Sequence, residues 1–344
     1  MKLKGTFVDG KVIVEKPKEV GRLFNKSHFG KNVKGNFLEL DLIESCFLLD
    51  EGKIDIKNNS ESIQFENLVL IASKKILDFD VKYIAFKDLR KRGCVVNLYE
   101  GFGDITFSHF KNEYVVCVFS EESFFDFKKT RDLVNNFSKE NVSLWFAVVD
   151  SEGDVTYYDV TKVDLKGHNK KKTYSKEKGF LIGDSVILFN EELKDSLFKN
   201  EFFGKPFGNA LRISFIEALY LLDAKILDIR KIDKTKISRE TLVKKVKEKE
   251  LDSYNIYKIY CDLKKRGLVA KTGFKFGTDL RVYTRNPDEI HAEYLIHIID
   301  KDKKIAWSEM SRAIRLAHSV NKEIIFACAD NKNIEYIGFG RLRP

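Results

Sequence analysis

The chain has 344 residues, 43% apolar and 12% aromatic, enough for more than one domain with its own core and unlike a disordered composition. No run of about 18 apolar residues occurs, and Met1-Lys2-Leu3-Lys4-Gly5 lacks a secretion signal's apolar segment, so a soluble, cytoplasmic protein without a membrane partner is expected. Five scattered cysteines, none at two-residue spacing from another, indicate neither a zinc site nor a disulfide framework.

The net charge of +9 is unevenly spread. Lys and Arg number 24 against 27 Asp and Glu up to Leu165, a net of −3; beyond it they number 37 against 25, a net of +12. A basic half beside a slightly acidic one fits a polyanion-binding half joined to one with another task.

Taken in order, the chain is written twice. Leu48-Leu49-Asp50 returns as Leu221-Leu222-Asp223, and Asp88-Leu89-Arg90-Lys91-Arg92-Gly93 as Asp262-Leu263-Lys264-Lys265-Arg266-Gly267. Phe29-Gly30-Lys31 returns as Phe203-Gly204-Lys205, and Tyr114 as Tyr294. The offset stays near 174 to 180 residues, which reads as a tandem duplication and not a many-unit solenoid. The expected fold class is α/β, of the α+β kind. Each copy would carry an N-terminal mixed subdomain and a small C-terminal nuclease-like domain with a mixed central sheet. The expected boundaries are 1–165 (1–95 and 96–165), a basic linker at 166–179 containing His168 to Lys176, and 180–344 (180–273 and 274–344).

Each copy opens with short strands turned at glycine, at Phe7 to Val14 and at Gly179 to Phe189. Helical spacing then runs through Leu211, Phe215, Ala218, Leu219 and Leu222, and again from Tyr254 to Lys265, with Gly267 as a C-terminal cap. The alternating charges of Lys244 to Glu250 suit a solvated helix face. In the last part, Leu280 to Tyr283 and Glu293 to Ile299 read as strands. Ser308 would cap a helix burying Met310, Ala313, Ile314 and Ala317, and Ile324 to Ala329 reads as a buried strand. The first copy repeats this with Tyr114 to Phe119, a helix near Ser123 to Phe137, and Leu144 to Val149.

Three side chains at element ends stand out: Tyr283, His291 and Lys322. A phenol, an imidazole and an ammonium group suit acid and base work on RNA without a metal, because RNA supplies its own nucleophile in the 2′-hydroxyl. Each taken singly also fits a surface or packing role, as His297 on a strand and His318 on a helix do.

These residues resemble the archaeal tRNA-splicing endonucleases of the two-repeat, homodimeric type, along nearly the whole chain. The most specific stretches are Phe276 to Tyr283, His291 to Leu295 and Arg315 to Lys322. The resemblance implies cleavage of precursor tRNA at a bulge-helix-bulge, without metal or small-molecule cofactor, leaving a 2′,3′-cyclic phosphate and a 5′-hydroxyl. The family's tyrosine falls on Tyr283, its histidine on His291 and its lysine on Lys322. Arg281 and Arg285 would add positive field, and an arginine pair that sandwiches a bulge base falls on Arg315 and Arg341, with Arg343 a competing choice. Asp150-Ser151-Glu152-Gly153-Asp154-Val155-Thr156-Tyr157-Tyr158 resembles the acidic loop that docks on the partner chain; Asp150, Glu152 and Asp154 carry it, though such a sequence also suits an ordinary hairpin turn. Aligning the halves sets about Ser108 opposite Tyr283, Lys111 opposite His291 and Val142 opposite Lys322, so the first copy reads as structural. Two alternatives remain at this point: a non-catalytic binder of structured RNA with the same fold, and a metal-dependent nuclease using Asp279 and Glu293.

Overall fold

The computed structural model describes residues 2–33, 37–59, 61–99, 106–109, 111, 113–169, 172–249, 253–300, 304–330 and 333–344. Alternation of apolar and polar residues in Leu3–Val8 and Lys11–Val14 buries one face of a hairpin turned at Asp9-Gly10. Glu177–Ile182 and Ser185–Leu188 repeat that hairpin in the second copy, turned at Gly183-Asp184 and beginning inside the stretch taken as linker. These hairpins belong to separate N-terminal sheets of six and five strands, each with a core covered by helices.

The C-terminal parts do not stay separate. Val155–Lys162 of the first copy pairs antiparallel with Asn333–Leu342 of the second, Tyr158 opposite Arg341, and fuses both into one ten-stranded mixed sheet. A second seam forms where Phe124–Phe125 pairs with Ile305–Ala306. Trp307, fully buried, stacks on Phe119 at 4.9 Å between ring centres and meets Phe125 and Phe146 edge-on.

This seam overturns one expectation. The helix Trp307–Ser319 is capped by Ala306 and not by Ser308, which lies within its first turn. Its first free N–H groups are satisfied by the other copy: Trp307 donates to the Ser123 carbonyl at 3.0 Å and Ser308 to that of Glu121 at 3.1 Å. Met310, Ile314 and Ala317 are buried as the spacing predicts, and Arg312 and Arg315 face solvent.

Two other helix expectations shift. Leu211 lies in the strand Ala210–Ile213, and the helix starts at Phe215, because Ser214 and Glu217 form a capping box that fixes the start. In the first copy Asp126 caps a helix at Phe127–Glu140, later than expected, since Phe124 and Phe125 are drawn into the seam. The helix Ser253–Lys265 agrees, and Gly267 follows with φ +77.

The expected linker is partly strapped down. Gly167 donates to the Arg266 carbonyl, His168 to that of Thr284 and Asn169 to that of Gly267, at 3.0, 3.0 and 2.9 Å. A Cβ on Gly167 would come within 2.2 Å of the Gly267 oxygen, so only glycine permits this approach. Lys170 and Lys171 lie outside the described residues. Among the described residues no helix is long and apolar enough to cross a membrane.

Candidate functional site

Tyr283 closes the strand Leu280–Tyr283, which is hydrogen-bonded on one side to Val269–Thr272 and on the other to Tyr294–Ile298. The loop between Tyr283 and Tyr294 carries His291 and is tied at its base. Glu293 donates its N–H to the Val282 carbonyl at 3.1 Å, and its carboxylate accepts from the Thr284 N–H at 2.9 Å. Tyr294 pairs in parallel with Glu323, the residue after Lys322. All three candidate side chains therefore leave the sheet at the same end, from neighbouring strands about 5 Å apart.

Their settings differ. Tyr283 stands at an element end as expected and is nonetheless buried, 7% exposed, packed with Val269 and Ala292 and flanked by Phe202 and Ile290. The strand alternation that hides Val282 on one face sends Tyr283 under the N-terminal subdomain of its own copy. The Arg281 guanidinium lies 5.9 Å from its ring centre. His291 is exposed. Lys322 is half-buried, donates to the Ala292 carbonyl at 2.7 Å and lies 5.5 Å from the Phe276 ring centre. It thus holds the loop segment next to His291 while keeping its charge at the site.

Arg315 and Arg341 are both exposed and flank one phenol, that of Tyr158. Burial pushes its pKa up, and the Ser311 hydroxyl and both guanidinium groups oppose the rise. Arg341 is paired with Tyr158 on the strand whose Phe339 pairs with Ile324, two residues after Lys322. Arg285 and Arg343 are exposed.

The strand registers refine the alignment of the copies. Tyr114 pairs with Ser143 as Tyr294 pairs with Glu323, and Glu113 receives the Ser143 N–H as Glu293 receives that of Glu323. Lys111 and Val142 thus correspond to His291 and Lys322. Ser108, however, pairs with Asn97 where Arg281 pairs with Lys271, so it corresponds to Arg281 and not Tyr283. The counterpart of Tyr283 falls on Phe110, which lies outside the described residues. The connecting loop is shorter in the first copy, and a sequence alignment has no way to place that gap without the hydrogen bonds.

The acidic hairpin is ordered by its own first residue. Asp150 Oδ1 accepts the N–H groups of Glu152 and Asp154 at 3.0 and 2.9 Å. That leaves the Glu152 and Asp154 carboxylates exposed, whereas Tyr157 and Tyr158 are buried. The Tyr157 hydroxyl donates to Asp88 at 2.8 Å, matched in the second copy by Tyr336 to Asp262 at 2.9 Å. Asn331 and Lys332, at the corresponding tip, lie outside the described residues.

Asp279 and Glu293 do not form a metal-ligand pair. Asp279 accepts from the Ile298 N–H at 2.7 Å and faces His297, whereas Glu293 serves the loop at the opposite end of the same strand pair.

One group escaped the sequence reading. Lys271, largely buried, lies 3.3 Å from Glu217, whose carboxylate also accepts from the N–H groups of Gly204 and Ser214. Burial pushes Glu217 up, but the Lys271 ammonium and those N–H donors hold it below its usual range; burial lowers Lys271. The first copy has Glu44 with Asn97 in place of the lysine, and there burial and neighbouring Asp41 push the Glu44 carboxyl up to about 8. Only the shared Glu, three residues after its helix cap in both copies, signals this in the sequence.

Comparison with known proteins completes the site's description. A family model described as the tRNA intron endonuclease catalytic C-terminal domain matches residues 79–157 and 254–336; the corresponding N-terminal domain model matches 3–69 and 178–243. The tRNA-splicing endonuclease of Methanococcoides burtonii is 35% identical over 99% of this chain and 100% of its own length. That of Methanosarcina barkeri is 33% identical over 98% and 99%. A Pyrococcus abyssi protein of the same name is 33% identical over 46% of this chain and 96% of its own length, close to a single repeat.

Proposed function

The chain belongs to the tRNA intron endonuclease family, an endonuclease of intron excision from precursor tRNA, and we propose that it cuts at bulge-helix-bulge motifs without a metal. In this reading the ionised Tyr283 phenol takes the proton from the 2′-hydroxyl as O2′ attacks phosphorus. The bond from phosphorus to O5′ breaks, His291 in its protonated form gives that oxygen a proton, and a 2′,3′-cyclic phosphate and a 5′-hydroxyl result. Lys322 opposes the charge that builds on the phosphoryl oxygens, and Arg281 adds positive charge 5.9 Å from the Tyr283 ring centre. Arg315 and Arg341 would hold a flipped bulge base between guanidinium planes.

The supporting observation is that Tyr283, His291 and Lys322 leave one end of the sheet together in one copy, while Lys111 and Val142 replace two of them in the other. The protein would act as a homodimer, with Glu152 and Asp154 docking on the partner. Synthetic precursor RNA with excess EDTA tests the chemistry. Wild type is expected to leave a cyclic phosphate end and His291→Ala very little of it; an EDTA-sensitive reaction, or a 3′-hydroxyl end, would overturn the mechanism.

A further inference from the structure

A cleft of about 450 Å³ opens between the second copy's N-terminal sheet and its catalytic strand pair. Four cations line it beside three carboxylates, of which Glu217 is paired with Lys271 and Asp279 is engaged by the Ile298 N–H, with Asp184 the third. The strand registers set the cations as two cross-strand pairs: Lys205 opposite Arg212, and Lys271 opposite Arg281. Like charges directly opposite each other destabilise a sheet. Glu217 compensates Lys271, but Arg281 Nε is buried without a hydrogen-bond partner among the described residues.

The duplication provides an internal comparison. The same registers in the first copy set Lys31 opposite Glu39 and Asn97 opposite Ser108, one pair of opposite charge and one neutral. Like-charge pairing thus occurs in the copy that carries Tyr283, and three of the four cations are missing from the copy that lacks its partners. Arg281 of the cleft wall connects it to Tyr283. Phe202, which packs against Tyr283, is followed two residues later by Gly204 and Lys205 of the cleft wall, and Arg281 lines the cleft while lying over the Tyr283 ring. At its rim stands Phe274, 87% exposed, between the two catalytic strands.

We propose that this cleft is a second RNA subsite, which takes an unpaired stretch of the substrate backbone beyond the cleaved phosphate. Lys205, Arg212 and Arg281 neutralise its phosphates and Phe274 stacks on a base. Cations along a groove with one aromatic platform match the chemistry of single-stranded RNA. The proposal rests on the reading above that the substrate is precursor tRNA, and it gives the N-terminal subdomain of the catalytic repeat a direct part in binding.

The test uses the full chain and a synthetic intron-containing precursor, with cleavage followed at several salt concentrations. Arg212→Glu installs the charge of Glu39 on an exposed strand position. It is expected to raise KM roughly tenfold, to flatten the dependence of log KM on log salt by about 1 or more, and to leave kcat unchanged. Phe274→Ala is expected to raise KM several-fold with the salt slope unaltered. Lys31→Ala, at the first copy's equivalent of Lys205, is expected to change neither. Wild-type KM and salt slope in both Arg212→Glu and Phe274→Ala would overturn the subsite. If wild type fails to cleave, the functional reading fails separately. Binding of the same RNA then decides the subsite: weaker binding by Arg212→Glu supports it, and equal binding overturns it.

Discussion

Replacing Lys271 by Asn turns the second copy's buried ion pair into the arrangement of the first copy. In the native protein the Glu217 carboxylate accepts from Gly204 N, Ser214 N and Ser214 Oγ, each at 2.9 Å, and from Lys271 at 3.3 Å. The side chains are only 10% and 17% exposed, so solvent screens the pair little. Once the ammonium is gone, Glu217 either stays charged without a counterion or takes up a proton. The second route sets an upper limit: holding a proton at pH 7 on a carboxyl with an ordinary value of 4.5 costs about 1.4 kcal/mol for each of about 2.5 pH units, or about 3.5 kcal/mol. That sits at the low end of the roughly 3–5 kcal/mol for breaking a buried pair.

The pH dependence follows in sign. Native Glu217 has a folded pKa below its unfolded one, so its contribution is complete above about 4.5 and is lost as pH falls through the folded value. In Lys271→Asn the folded pKa rises above the unfolded one, so stability is lost as pH increases from about 4.5. The destabilisation should therefore be smallest near pH 4.5 and grow by up to about 3.5 kcal/mol towards pH 7. Urea unfolding followed by circular dichroism at pH 5 and pH 7 measures it. An equal loss at both, or a loss under about 1 kcal/mol at pH 7, would refute the assignment of Lys271 as the counterion that keeps Glu217 charged.

Other outcomes follow from the same geometry. His291→Ala should lower single-turnover cleavage by about 10²–10⁴ with little change in unfolding midpoint, since the imidazole is exposed; a near wild-type rate would remove it as the acid. Lys322→Met should lower the rate and also loosen the loop it anchors at Ala292, seen as faster amide exchange at residues 289–293 than in His291→Ala. Glu152→Lys with Asp154→Lys should shift a dimer to monomer by sedimentation while the hairpin stays folded, because Asp150 caps the turn; Asp150→Ala should disorder the hairpin itself. Glu44 has its folded pKa raised to about 8 from an unfolded 4.5, so its contribution is complete below about 4.5 and lost as pH rises through the folded value. Calorimetry should find wild type losing stability over that interval more steeply than Glu44→Gln, and parallel curves would contradict a Glu44 carboxyl raised by burial and Asp41.

Much of this was legible in the sequence because it depends on residues close together in the chain. The duplication, the helix Ser253–Lys265 and its glycine stop, the turns at Asp9-Gly10 and Gly183-Asp184, and the charge split between the halves are all local or compositional. So are the candidate chemical groups, Tyr283, His291 and Lys322. Helix starts failed where a distant partner decided them. Ser308 has the chemistry of a cap, but carbonyls of Glu121 and Ser123 from the other copy satisfy the helix terminus and move its start. Ser108 was matched to Tyr283 because a shortened loop can be placed anywhere in an alignment, whereas the Asn97 and Ser108 pairing fixes it against Lys271 and Arg281.

The sequence by itself determined which side chains each copy possesses and where its helices and turns must break, through propensity, capping and periodicity over a few residues. Only the tertiary structure decided that the two copies share one sheet, that Tyr283 is buried beneath Phe202, and that four cations of the second copy face each other across neighbouring strands. Those facts are pairings between residues far apart in the chain, and a hydrogen-bond register, in which a shift of one residue turns every side chain to the other face, is set by the whole packed core and by no single segment.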